Sequence, residues 1–233
     1  MTPYQLDELI NGVNEMKKSA VSLLVLAGFA STSALAQDAF SYAKGAATWA
    51  HTKSDFLKSD QFGGDFSRDN GGSRDFGGLT LDLSKSFADH FYGRLLSEGT
   101  SAQSGNDSMA IGSLGVGVFT PLSTGLNLYG ETGVMGYTLE REVMSNVDNK
   151  GWDAIVRKNS GSMYGEVGLR YDIGNVELST AYRYANMTDD MHDFKVGGAY
   201  KLNQNWALTA DYTYRNWDLQ KGSISSLGVK YSF

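Results

Sequence analysis

Ten stretches of this chain alternate apolar and polar residues with a period of two. Val176, Leu178, Thr180, Tyr182 and Tyr184 interleave with Glu177, Ser179, Ala181 and Arg183. Trp206, Leu208, Ala210, Tyr212 and Tyr214 interleave with Ala207, Thr209, Asp211, Thr213 and Arg215. Leu79, Leu81 and Leu83 do the same with Thr80, Asp82 and Ser84. Successive side chains of a strand point to opposite faces, so each stretch makes a strand with one apolar and one polar face. The stretches fall at roughly 42–52, 78–87, 91–99, 109–120, 126–139, 162–173, 176–186, 193–202, 206–218 and 222–233. With 28 glycines and 13 tyrosines but only 2 prolines, the composition suits strands rather than helices or loops.

The connections separate two closures of such a sheet. Ala88-Asp89-His90, Pro121 to Gly125, Gly174-Asn175 and Asn203-Gln204-Asn205 are short; 53–77, 100–108 and 140–161 are long and polar; 187–192 and 219–221 are shorter outer connections. Short turns at one end and long loops at the other are the pattern of a transmembrane β-barrel, and an even strand number puts both chain ends on the short-turn side. A soluble β-sandwich also alternates. However, Trp206, Tyr214, Tyr184, Tyr171 and Tyr231 stand near strand ends on the apolar faces, as in an interfacial aromatic girdle. The opposite faces carry charges in mid-strand. The expected fold is therefore all-β, an antiparallel up-and-down transmembrane barrel of about ten strands, with eight as the alternative.

One long apolar run, Ala20 to Ala36, follows Met16-Lys17-Lys18 and ends in Ala34-Leu35-Ala36 before Gln37. This is a basic n-region, an apolar core and a small-x-small cleavage site. Ser31, Thr32 and Ser33 interrupt the run, which makes a permanent membrane-anchor helix the weaker reading. Residues 16–36 are expected to be a secretory signal peptide, cleaved so that the barrel, 37–233, begins at Gln37. Asp7, Glu8 and Glu15 do not suit an n-region, so residues 1–15 read as an upstream extension outside the fold. Zero cysteines exclude a disulfide framework, thiolate metal sites and a cysteine nucleophile. A net charge of −6 and a pI near 5.0 argue against nucleic acid as a partner, because phosphate binding needs a basic surface.

The chain closes with Leu227-Gly228-Val229-Lys230-Tyr231-Ser232-Phe233. Leu227, Val229, Tyr231 and Phe233 recur every second place, which resembles the signal that the bacterial barrel-assembly machinery reads. Phe40-Ser41-Tyr42, Leu126 to Tyr137 and Val167-Gly168-Leu169-Arg170-Tyr171 are likewise similar to the small outer-membrane barrels of the OmpX, OmpA and opacity type. That resemblance implies a Gram-negative outer membrane, reached by signal-peptide-dependent export. It also implies lipid, lipopolysaccharide and the assembly machinery as partners, with a possible surface ligand at the outer loops. The implied role is structural or surface-interacting; a narrow channel for small ions or solutes is the alternative, and an outer-membrane hydrolase ranks third. No enzyme activity, cofactor or metal site is expected.

The inward charges on this assignment are Asp82, Glu98, Glu131, Glu166, Glu177 and Asp211 against Lys44, Arg94, Arg170, Arg183, Lys195, Arg215 and Lys230. Such a balance suits a solvated or salt-bridged plug better than the one-sign ring of an ion-selective pore. A two-residue turn at Gly174-Asn175 sets Ile173 opposite Val176 and, counting outward, Glu166 opposite Arg183, a lumenal salt bridge. Asp189-Asp190-Met191-His192-Asp193 holds the residue types of an omptin-type protease, but in one short segment rather than across a cleft, and reads as a solvated acidic loop. A deacylase needs a lipid-facing Ser–His couple; His51, His90 and His192 read as scattered and without a fixed neighbour. No spacing resembles a calcium loop. In the first outer loop Ser67-Arg68-Asp69-Asn70-Gly71-Gly72 is repeated as Ser73-Arg74-Asp75-Phe76-Gly77-Gly78, either a mobile hairpin that meets lipopolysaccharide or a host surface, or low-complexity sequence without a partner. In the third, Trp152, Ile155 and Val156 suggest a cap or a binding patch.

Overall fold

Gly174 adopts a φ of 61°, a conformation that costs glycine little and other residues more. The turn it makes with Asn175 sets the register of the flanking strands, Ile173 against Val176 and Glu166 against Arg183. Gly125, with φ 78°, serves another inner turn in the same way. A computed structural model describes residues 39–52, 75–102, 107–145 and 152–233. Signal and extension, with Ala34, Ala36 and Gln37, lie outside the described residues, as does the tandem repeat up to Arg74.

Ten antiparallel strands form one meander: β1 (Tyr42–Thr52), β2 (Asp75–Ala88), β3 (Phe91–Ala102), β4 (Ser108–Ser123), β5 (Leu126–Ser145), β6 (Trp152–Ile173), β7 (Val176–Asn186), β8 (Asp190–Lys201), β9 (Trp206–Asn216) and β10 (Gly222–Ser232). Each pairs with its sequence neighbours, and β1 pairs with β10 from Tyr42↔Ser232 to Thr52↔Gly222, so the sheet closes into a barrel. Closure leaves no unpaired strand edge, which is what the hydrocarbon of a bilayer demands of a sheet. The outer wall is apolar: Leu79, Leu114, Val116, Val134, Met163, Val196 and Leu227 are exposed, Leu79 by 71%. A soluble protein of this size would not display that surface all round.

Several boundaries differ from the sequence expectation, three of them with consequences for the site. The outer connection between β5 and β6 is mostly strand, because both continue well past residue 140 and pair as far as Ser145↔Trp152. Glu140 and Arg157 pair across this extension, Nε to Oε1 at 2.7 Å. A hairpin standing above the bilayer has no lipid to face, so it loses the alternation by which the buried part is recognised. The side chains of Trp152, Ile155 and Val156 are not among those described. Second, β2 starts at Asp75, so four of the six residues of the second repeat copy are strand and Phe76 is buried inside the barrel. Third, β8 starts at Asp190, which removes most of the acidic loop expected at 189–193.

Candidate functional site

All thirteen charges expected inside sit on inward register positions and are buried or half-buried. Asp193, expected in a solvated loop, joins them. It is fully buried and accepts two hydrogen bonds from Arg215, Nε to Oδ1 at 2.8 Å and Nη2 to Oδ2 at 3.1 Å. The alternation places Asp193 on the same face as Lys195; its acidic neighbours obscured that.

Glu166 and Arg183 lie opposite each other on β6 and β7, both side chains 1% exposed. Arg183 Nε donates to Glu166 Oε2 at 2.7 Å, and its Nη2 approaches the same oxygen at 2.7 Å. The pair is part of something larger than an isolated bridge. Lys195 Nζ reaches Oε2 at 2.8 Å, while Oε1 accepts from Arg94 Nη1 at 2.9 Å and from the Tyr129 hydroxyl at 3.0 Å. One carboxylate thus serves three cations. Arg94 is in turn bidentate to Asp82, at 2.8 Å from both Nε and Nη2, and lies 3.6 Å from Glu131. Buried charges persist only when each is matched and hydrogen-bonded, and this network supplies the matching.

Other bonds cross the lumen between strands that are not neighbours. Arg215 on β9 donates to Glu98 on β3 at 3.1 Å, Lys230 on β10 to Glu177 on β7 at 2.6 Å, and Lys44 on β1 to Asp211 on β9 at 3.1 Å. Arg170 on β6 donates to the Tyr42 hydroxyl on β1, diametrically opposite, at 2.9 Å. A cavity of about 120 Å³ remains among these groups, room for a few waters.

The charged tier is closed at both ends by apolar tiers that the sequence reading did not anticipate. At the inner mouth Phe40 turns into the barrel and stacks on Phe119 at 4.3 Å and Tyr92 at 4.7 Å, with Arg170 4.6 Å above its ring. Tyr129 packs edge-on against it at 5.7 Å. At the outer mouth Phe76, Met109, Ile111, Met135, Tyr137, Leu139, Met191, Trp217 and Leu219 form one buried cluster. Trp217 and Leu219 come from the β9–β10 connection, and Trp217 meets Tyr137 edge-on at 4.8 Å. The available signal was apolar residues on the inward face toward the outer ends of β4 and β5, Met109, Ile111, Met135 and Leu139, which a water-filled lumen would not use.

On the outer wall Leu227, Val229 and Tyr231 form the exposed row of β10. Tyr231 packs on Trp206 at 4.9 Å, and Lys85 sits 4.7 Å over the Phe233 ring. The histidines are not without neighbours. His51 Nδ1 lies 2.7 Å from Asp75 Oδ1, His192 Nδ1 lies 2.7 Å from the Tyr182 hydroxyl, and His90 packs edge-on to Phe119 at 6.0 Å. Asp190 binds the Tyr184 hydroxyl at 2.8 Å rather than His192, so the acidic pair and Asp–His pair of an omptin-type site are not assembled. Among the described residues no group of acids and histidines is arranged to hold a metal ion.

No protein-family model matches the chain. No curated protein sequence matches it either. Among solved structures it is similar to Ail, the attachment invasion locus protein of Yersinia pestis, at 13% identity over 82% of this chain and 97% of that one, with a TM-score of 0.42. It is similar to OprG of Pseudomonas aeruginosa at 15% identity over 84% and 98%, TM-score 0.43. The β domain of the Bordetella autotransporter BrkA gives 14% identity over 83% and 100%, TM-score 0.46.

Proposed function

We propose that this chain is an integral outer-membrane β-barrel that does not conduct, and that it acts through its wall and outer rim in a structural or surface-interaction role. Its partners in this reading are outer-membrane lipid, lipopolysaccharide and the barrel-assembly machinery, with any surface ligand meeting the outer loops. The observation that supports it is the occlusion of the lumen: a matched charge network in the middle, an aromatic tier around Phe40 below and an apolar tier around Trp217 above. A conducting pore needs a wetted path with sites an ion can enter and leave; here the inward cations and acids bind one another. Reconstitution of the folded barrel in planar bilayers tests this. A silent trace is expected, and discrete conductance steps from the wild-type barrel would overturn the reading.

A further inference from the structure

Near the external end of the β1–β10 seam, four polar residues stand in one row across four adjacent strands. His51 is opposite Asp75 on β2 and, on its other side, opposite Ser223 on β10; Ser223 is in turn opposite Tyr214 on β9. The row lies on the outer wall, because the residues that flank it in sequence, such as Ala50, Phe76 and Ile224, are buried in the lumen. Asp75 Oδ1 lies 2.7 Å from His51 Nδ1. A proton held on Nδ1 by the carboxylate leaves the lone pair on Nε2, the ring nitrogen remote from Asp75. Directly opposed residues have Cβ atoms ~4.5–5.5 Å apart, so the register sets the Ser223 side chain beside the imidazole on the side away from Asp75. Carboxylate, imidazole and hydroxyl follow one another in the order that nucleophilic acyl transfer requires.

The depth of the row suits a lipid. Trp49, two residues inward on the same face and 46% exposed, has the position of an interfacial anchor. Leu79 and Leu227 continue the apolar wall below it. Gly77 and Gly99 have open space where a side chain would project, so the wall is low where an acyl chain would lie. The row therefore sits at the boundary where lipid headgroups are joined to their chains by ester bonds.

We propose that Asp75, His51 and Ser223 form a hydrolytic site on the outer wall for an acyl ester of an outer-leaflet amphiphile. Ser223 Oγ attacks the ester carbonyl carbon as its proton passes to His51 Nε2. The carbon–oxygen bond to the headgroup breaks, and the alcohol leaves with that proton. Water, deprotonated by His51, then attacks the acyl-Ser223 ester, releasing a fatty acid and restoring the hydroxyl. Asp75 is a positioning residue that holds the imidazole. Tyr214 supplies a hydroxyl donor on the far flank of Ser223 for charge developing on the carbonyl oxygen. This activity requires the outer wall to face lipid, as proposed above, but not the sealed lumen.

The test uses the folded full-length barrel in detergent micelles with 4-nitrophenyl dodecanoate, and in vesicles of lipopolysaccharide or of phosphatidylethanolamine and phosphatidylglycerol, reading released fatty acid by mass spectrometry. A fluorophosphonate probe is expected to label Ser223. Ser223→Ala and His51→Ala are each expected to lower turnover at least ~100-fold, while Ser225→Ala, one position inward on the same face, keeps the wild-type rate. Asp75→Asn is expected to lose at least ~10-fold and Asp75→Glu to retain most activity. Release from one vesicle type and not the other identifies the lipid source. A heat-modifiable, folded wild type that releases no fatty acid from any of the three substrates overturns the proposal, as does a rate unmoved by Ser223→Ala. A chain that does not form a heat-modifiable barrel at all overturns instead the membrane-barrel reading on which the site depends.

Discussion

Replacing Glu166 with Gln removes one negative charge from a point where three cations converge. Arg183, Lys195 and Arg94 all lie within 2.9 Å of its two oxygens, and its side chain is 1% exposed. Gln keeps the shape but offers one acceptor where the carboxylate offered two, and presents an NH₂ to groups that are themselves donors. Of the three cations, Arg94 retains Asp82; Arg183 and Lys195 lose their direct ionic partner. Breaking a buried pair from one side costs about 3–5 kcal/mol, since the charge left behind is neither solvated nor matched. Arg183→Met acts differently. Glu166 keeps Lys195, Arg94 and Tyr129, so the loss is nearer the about 1.5–3 kcal/mol of one charged hydrogen bond. The double variant should fall between the two, because Arg183→Met removes one of the cations that Glu166→Gln strands. Urea unfolding in lipid vesicles, followed by the heat-dependent gel shift of folded barrels, reads the order directly. With slopes of about 1–3 kcal/mol per M, Glu166→Gln should lower the midpoint by more than about 1 M. Equal midpoints for the two single variants, or a double variant less stable than Glu166→Gln, would refute the hub and restore a simple pair.

A Cβ at Gly168 would lie 2.5 Å from the Thr180 carbonyl oxygen and 2.6 Å from Tyr129 Cζ and its hydroxyl, so Gly168→Ala should strain the β6–β7 ladder, push that ring off Glu166 and lower stability by about 1–3 kcal/mol, read by the same unfolding assay. Trp217→Ala should cost about 3–5 kcal/mol through the cavity it leaves in the outer plug, with the loss visible as a lower temperature for the gel shift. Phe233→Ala should reduce the yield of barrel in the outer membrane of cells while leaving refolding in detergent intact; equal cellular yield would remove the assembly role of the Leu227, Val229, Tyr231 and Phe233 row.

Strands were legible wherever lipid lay on one side and charge on the other. The run from Val176 to Asn186 and its turn at Gly174 could be read residue by residue, because a slip of one position would drive Glu177 or Arg183 into the bilayer. Legibility ended where either condition failed. Beyond residue 140, β5 and β6 have solvent outside, so nothing forces an apolar face. Inside the two plugs both faces are apolar, and Met135 or Leu139 looks like dilution of a pattern rather than a second core. Partners across the lumen were harder still. Local turns set the opposition of Glu166 and Arg183, whereas Arg94, Lys195 and Tyr129 arrive from strands whose relative height depends on how the whole barrel is staggered. The pairing of His51 with Asp75 escaped notice for the same reason, since the length of the segment between β1 and β2 gives no register.

The bonds that cross the lumen also have a mechanical meaning. A hoop of hinged staves can be squeezed into an ellipse without breaking any stave-to-stave joint, and a barrel held only by ladder hydrogen bonds between neighbours has that softness. Arg170 to Tyr42 is close to a diameter of the ring, and Arg215 to Glu98, Lys230 to Glu177 and Lys44 to Asp211 are shorter chords. Flattening the ring along any axis must stretch at least one of them. Three of these chords end on β1 or β10, the strands whose separation would open the wall sideways. The cross-section is thus triangulated, with most of its chords anchored on the two strands that meet at the closing seam.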